Sequence, residues 1–436
     1  MAVMLVESTD PNLSFHLKKN PATGLVVKRM RKGALSGWYP NGDTQKYALF
    51  FHDDTNNSSF ANDGKNYTDM TRYTSTYFVF HSISTMFSSV LKLDASQQVF
   101  KHKITIPSVQ MRAEKTIGHL NKFLNLGLTV TKKSEGIDSL ALYSVTLELE
   151  STFNEFMMRT YVLFYLLHAD LFQSDLGYME GMIEKVTKIL VELKAEYFLW
   201  YLFNKNIICR ESTFKKLQPT LGNGSQDGKI ELHYGGTQQQ RKAFVDSQMD
   251  FKNDVLDIGC GEGYFLLPYA KKLHNGKTIT GVDKDARLIN GIANKVEDRK
   301  QEDKVSLFTS MDDFYAQYDN SVKDIICVEV IEHMPEKDAF NLLREALMKV
   351  RFRKAIITTP NRDFNQFYKT MVGFRHDDHH FEFNNAEFEA FIKSVNDSIW
   401  MEEDCPYWEF EYMPVGDIVN GISMAQAVVI TNKMEE

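Results

Sequence analysis

The stretch Asp257-Ile258-Gly259-Cys260-Gly261-Glu262-Gly263 closes an apolar run at 255–258 and opens a helical pattern. Glycines at such a turn let the backbone bend sharply and approach a ligand, because no Cβ stands in the way. From there the chain alternates strand and helix patterns, with further strands expected at 278–282, 305–309, 325–328 and 354–358. That alternation predicts an α/β fold with a mostly parallel, doubly wound sheet. A late pair of strand patterns, 408–413 and 425–431, would add an antiparallel edge.

The first half reads differently. Turn material at Gly33, 40–42 and 53–57 separates short apolar runs. Helical spacing covers 13–17, 77–91, 113–123, 153–172 and 179–203, and strands are expected at 103–106, before Pro107, and at 141–149. This half is α+β by pattern, with no internal repeat and no catalytic motif. Between 217 and 236 the residues Pro219, Gly222, Gly224, Ser225, Asp227, Gly228, Gly235 and Gly236 mark a linker or ordered interdomain loop. With 436 residues, 43% of them hydrophobic, the chain can form two cored domains. We expect them at 1–225 and 226–436.

Composition excludes some classes. The most apolar run, 161–167, is too short to span a bilayer, and Glu7 with no basic run before it does not suit a secretory signal. Four scattered cysteines, Cys209, Cys260, Cys327 and Cys405, fit neither a zinc site nor a disulfide framework, so a cytoplasmic setting is expected. The net charge of −8 argues against nucleic-acid binding by bulk electrostatics and still permits a local basic groove.

Two clusters carry chemistry. Asp283 ends the second strand pattern, where a carboxylate can accept from both hydroxyls of an adenosine ribose. A dinucleotide fingerprint would place the third glycine one residue later than Gly263. The spacing, with an acid ahead of the first glycine, resembles the methyltransferase cofactor loop; a tight turn without ligand is the plain alternative. Further on, Glu329, Glu332 and His333 follow a buried strand pattern. A helix starting at Glu329 would put them at i, i+3 and i+4 on one face, at the carboxyl end of a central strand. Two carboxylates and an imidazole suit Mg2+ or Mn2+; a solvated first helical turn is the bland reading. The stretch 375–383 adds His376, His379 and His380. If it is extended, His379 lies on the side of Phe381 and Phe383, while His376, Asp378 and His380 face the other way. His379 is then the better ligand candidate.

Glu-x-x-Glu-His at 329–333, followed by Thr359-Pro360-Asn361 and by Asp378-His379-His380-Phe381-Glu382-Phe383, resembles the RNA 3′-terminal ribose 2′-O-methyltransferase family. That family methylates the ends of plant and animal small RNAs and has bacterial members acting in RNA repair. The resemblance runs from Gln240-Arg241 to Thr431. It implies a Rossmann-like domain that transfers a methyl group from S-adenosylmethionine to the 2′-hydroxyl of an RNA with a free 2′,3′-diol. It further implies Glu329, Glu332, His333 and His379 as catalytic metal ligands for Mg2+ or Mn2+. Asp257, Gly259, Gly261 and Asp283 would line the cofactor site, with Ser310 added after the third strand. The first half is similar to the bacterial members at 10–19, 67–87, 140–148 and 184–210. In those relatives this region binds a polynucleotide kinase–phosphatase–ligase subunit and promotes ligation. For RNA phosphates, Lys369 and Arg375 are the favoured contacts, and Lys349, Arg351, Arg353 and Lys354 read as a solvated face. Asn361, Gln240 and Arg241 stand where cofactor or RNA contacts are expected. Two other functions remain open: a methyltransferase acting on a non-RNA substrate, and a scaffold that chiefly activates an RNA ligase.

Overall fold

The computed structural model describes residues 2–30, 33–52, 74–92, 94, 97–112, 114–135, 141–171, 180–274, 276–369, 373–400 and 407–435. The chain divides into two units, Met1–Ile230 and Glu231–Glu436.

The first unit runs β1 (Ala2–Ser8), α1 (Leu13–Leu17), β2 (Val26–Met30), β3 (Gly33–Trp38), β4 (Lys46–His52), α2 (Thr76–Met86), β5 (Phe100–Met111) and α3 (Glu114–Leu124). It continues with β6 (Gly127–Glu135), β7 (Ala141–Ser151), α4 (Phe153–Leu171), α5 (Ile183–Glu192), α6 (Tyr197–Ile207) and α7 (Glu211–Leu217). Its seven strands form one sheet in the order β2-β3-β4-β1-β5-β7-β6. Each pairing is antiparallel. Residues alternate between core and solvent along β3 and β7, as a sheet covered on one face requires. The cover is α4, whose Tyr161, Leu163, Phe164 and Tyr165 are all fully buried. An apolar surface all round the helix leaves it no stable place but the interior.

Several expectations for this half need correction. The strand expected to stop before Pro107 continues through it, and the proline sits where the β5–β7 register shifts between Ile106 and Val109. A residue without an N–H is tolerated at such a bulge. The single helix expected over 179–203 is broken: α5 ends in a left-handed Lys194, φ 48°. Gly33 opens a strand, and β6 had no counterpart among the expected strands. The turn expected at 53–57, and Cys405, lie outside the described residues.

Strand β8 (Ile230–Glu231) spans the boundary, and the second unit continues with α8 (Thr237–Gln248), β9 (Asp254–Ile258), α9 (Leu266–Lys272), β10 (Ile279–Val282), α10 (Ala286–Asp298), β11 (Val305–Phe308) and α11 (Met311–Gln317). Then follow β12 (Lys323–Val328), α12 (Glu336–Lys349), β13 (Phe352–Pro360), α13 (Asn385–Trp400), β14 (Trp408–Val419) and β15 (Ile422–Asn432). The eight-stranded sheet has the order β11-β10-β9-β12-β13-β15-β14-β8. Strands β9 to β13 pair in parallel, and β15 runs antiparallel to both β13 and β14. This is the doubly wound, mostly parallel sheet with an antiparallel edge that the sequence pattern predicts.

Helices bury both faces of the sheet. Val255, Ile279, Ile326 and Ile356 pack with Leu266, Tyr269 and Ile292 on one side. Leu256, Ile325, Cys327 and Ile357 pack with Leu343, Phe388 and Ile392 on the other. Winding proceeds outward from β9 through β10 to β11, then returns to β12 on the opposite side of β9. The loops at the carboxyl ends of β9 and β12 therefore diverge and open a crevice. Among the described residues no helix is long and apolar enough to cross a membrane.

Candidate active site

The loop after β9 is shaped by its glycines. Gly259 and Gly261 have φ of 71° and 53°. A Cβ on Gly259 would come within 2.5 Å of a methyl of Val330, in the turn after β12. The two loops of the crevice thus touch at a point only glycine can occupy. Asp283, at the end of β10, accepts from the Gly261 N–H through Oδ2 and from the Asp285 N–H through Oδ1, both at 2.9 Å. Asp257 is buried, and its Oδ2 has no hydrogen-bond partner. Burial, aided by the neighbouring charge of Asp283, pushes its pKa up to about 8. Ser310 caps α11: its hydroxyl accepts from the Asp313 N–H at 3.1 Å and donates to the Asp313 carboxylate at 2.7 Å. It stands two residues beyond Phe308, whose carbonyl accepts from the Asp283 N–H at 3.2 Å.

The turn after β12 departs from expectation. No α-helix begins at Glu329, which takes a left-handed conformation with φ 56°. Only Ile331–His333 form a 3-10 turn, and α12 waits until Glu336. Pro335 explains the delay, since a proline disfavours helical geometry in the residue before it, and Met334 is extended. Glu329 is consequently not on a shared helical face with Glu332 and His333. Its carboxylate accepts from the Thr358 hydroxyl at 3.1 Å and pairs with the Arg241 guanidinium.

Glu332, His333 and His379 do come together, each offering a ligand atom within 4.8 Å of the others. Residues 375–380 form bends and turns instead of the extended segment assumed from sequence. That fold still separates the histidines: the His379 side chain is 6% exposed and that of His376 71%. Glu332 is wholly buried; Thr359 donates to its Oε2 at 3.1 Å, while its Oε1 has no partner. Burial, and then the nearby Glu329 charge, raise the Glu332 pKa well above the usual carboxylate range. Both imidazoles are engaged through Nδ1, His333 with Asp378 at 2.9 Å and His379 with Glu382 at 2.6 Å. Burial is the largest influence on His333 and lowers its pKa against the pull of Asp378, favouring the neutral ring. An orphaned buried carboxylate oxygen close to two imidazoles is a donor set that fits a divalent cation. Thr359 and Glu382 stood in the motifs that carry the family resemblance without an assigned role, and Asn365 was not singled out; the one further signal was Glu382, three residues after His379.

The basic residues are mostly committed elsewhere. Lys349 pairs with Glu345, Arg351 with Glu435, and Arg353 with Asp324 and Asp250. Lys354 donates to the Gln248 carbonyl at 2.8 Å. Arg375, expected near phosphate, instead donates to Asn365 and to the Asn361 carbonyl and lies over the Phe364 and Tyr368 rings. Lys369 is exposed after the 3-10 stretch Arg362–Tyr368. Gln240 is buried and donates to Asp417 at 2.9 Å.

A doubly wound sheet with a glycine loop and a carboxylate at its switch point is the architecture of a methyltransferase domain, and the methyltransferase domain family matches residues 255–351. The Hen1 N-terminal domain family matches residues 3–226, just over half of the chain. The chain belongs to the Hen1 family. It is 31% identical over 172 residues to a small RNA 2′-O-methyltransferase of Xenopus tropicalis, covering 36% of this chain and 45% of that one. It is 27% identical over 175 residues to the protein of the same name from Tetrahymena thermophila, covering 36% and 41%. The matched region thus spans less than half the length of these curated relatives. A chain in the structure of the Pnkp1/Rnl/Hen1 RNA repair complex shares the fold, with a TM-score of 0.78 at 23% identity over 99% of this chain and 100% of that one.

Proposed function

We propose that the chain transfers a methyl group from S-adenosylmethionine to the 2′-hydroxyl of the 3′-terminal ribose of RNA, with the help of Mg2+ or Mn2+. The observation that carries this reading is the convergence of Glu332, His333 and His379 beside the glycine loop. The Xenopus and Tetrahymena relatives are small RNA 2′-O-methyltransferases.

Gly259 and Gly261 would bring the backbone to the cofactor, and Asp283 would accept from its ribose hydroxyls. Bound there, the sulfonium supplies an electrophilic methyl group. Glu332, His333 and His379 would hold the cation; Glu329, paired with Arg241 here, would complete the ligand set that the family resemblance implies. A bound divalent ion supplies the Lewis acidity that makes a ribose hydroxyl a usable nucleophile near neutral pH. The protein's own contribution is orientation: the two loops meet at Gly259 and Val330, so whatever they hold is brought together. Recognition through adjacent 2′ and 3′ hydroxyls selects chain ends without reading bases.

The unit Met1–Ile230 is read as the region that binds and activates a kinase–phosphatase–ligase partner. A cytoplasmic setting agrees with the buried, unbridged thiols of Cys260 and Cys327. Labelled methyl transfer to short RNAs ending in a 2′,3′-diol, a 2′-deoxy ribose or a 3′-phosphate, with and without Mn2+, tests the activity. Label on the diol alone, and only with metal, is expected. Metal-independent label, or label on the 2′-deoxy end, would sink it.

A further inference from the structure

Glu382 has no part in the chemistry so far, yet its side chain is wholly buried against His379. A carboxylate out of reach of water is stable only when its oxygens are paired. Oε1 accepts from the Arg375 backbone N–H and from His379 Nδ1, both at 2.6 Å, and Oε2 accepts from Asn365 Nδ2 at 2.6 Å. Asn365 cannot turn over, because its Oδ1 accepts from Arg375 Nε at 2.7 Å. The Arg375 guanidinium is fixed in turn by the Asn361 carbonyl at 2.6 Å and by the rings of Phe364 and Tyr368. A backbone N–H and a side-chain amide N–H point at its two oxygens, so the group is built to accept. An acceptor carboxylate takes the Nδ1 proton of His379 and leaves Nε2 as the nitrogen that can bind a cation. His333 is supported differently, by Asp378, which is 60% exposed and shared with His376.

We propose that Glu382 is the positioning residue of the cation site: it fixes His379 in the Nδ1–H tautomer and presents Nε2 to the ion, a task exposed Asp378 performs only loosely for His333. The inference rests on the reading of Glu332, His333 and His379 as a divalent-cation site. A carboxylate on the far nitrogen of a ligand imidazole orients the ring and raises its basicity.

The test is Mn2+ binding by the full chain, followed by electron paramagnetic resonance of the free ion. Glu382→Gln keeps the shape but replaces one acceptor oxygen with a donor, and should weaken Mn2+ binding by about 10–100-fold. Asp378→Asn should weaken it by less than about threefold, as loss of an exposed and shared partner. A folded Glu382→Gln chain that binds Mn2+ as tightly as wild type overturns the proposal. Nitrogen-15 spectra of the metal-free wild type give a second reading that does not depend on a variant folding. The His379 signals, assigned by their loss in His379→Gln, should be those of the Nδ1–H tautomer; the Nε2–H form overturns the proposal. Wild-type protein that binds no Mn2+ overturns the cation site itself, and is told apart from failure of Glu382 alone by the variant series.

Discussion

Asp257 makes an unusual demand on the residues around it. It is buried beside Asp283 with one oxygen unpaired, and its pKa rises from 3.8 to about 8. In the unfolded chain it ionises near its ordinary value, so between about pH 4 and 8 the unfolded state loses a proton that the folded state keeps. Stability from this group is therefore fully present below pH 4 and drains away as pH rises toward 8. Asp257→Asn removes the drain: urea unfolding of the variant and wild type should match near pH 4 and diverge in the variant's favour by pH 7.5. A constant difference across that range would show Asp257 ionised in the native protein. At this scale the sequence was legible in grouping Glu332, His333 and His379, whose ligand atoms the fold brings within 4.8 Å of one another. It was silent on Glu382, because a carboxylate beside an aromatic pair reads equally as surface or support until its three donors are seen.

Elements were legible in proportion to how fully burial dictates them. Strands β9, β12 and β13 are covered on both faces and read as short apolar runs. Strand β6 is the edge of the first sheet and exposes nearly all of Lys132, Lys133 and Ser134. Its pairing with β7 is a backbone matter that leaves no hydropathy signature. The turn after β12 misled for the opposite reason: i, i+3, i+4 spacing suggested a helix that Pro335 forbids. The break between α5 and α6 can be tested. Lys194 closes α5 in the left-handed region, with its N–H on the Val191 carbonyl at 3.0 Å and the Ala195 N–H on Leu190 at 2.9 Å. A left-handed L-residue costs about 1–2 kcal/mol, and glycine returns part of that gain as unfolded-state entropy. Lys194→Gly should raise stability by roughly 0.5–1 kcal/mol, read as a higher urea midpoint. A midpoint equal to or below wild type would mean the lysine stem contributes packing that glycine gives up.

On the scale of the whole chain, the matches divide as the contacts do: a Hen1 N-terminal domain over 3–226 and a methyltransferase domain within Glu231–Glu436. Sequence alone could place the methyltransferase domain because its glycine loop and carboxylate–imidazole motifs are recognisable. The first half carries none, and its Tyr161, Phe164 and Tyr165 speak only of a core. Whether the chain is chiefly an enzyme or chiefly an activator of a ligase is decided by separating the two outputs within one folded molecule. Glu332→Gln keeps the side-chain volume and the Thr359 bond while removing the charge from the cation site. Methyl transfer should fall by more than about 100-fold, because the nucleophile loses its activating ion. Stimulation of RNA joining by a kinase–phosphatase–ligase partner should persist, since that output is assigned to Met1–Ile230. Methylation that survives the substitution removes the metal from the mechanism. Stimulation that disappears along with methylation would mean that methylation itself, and not docking of the first unit, is what promotes joining.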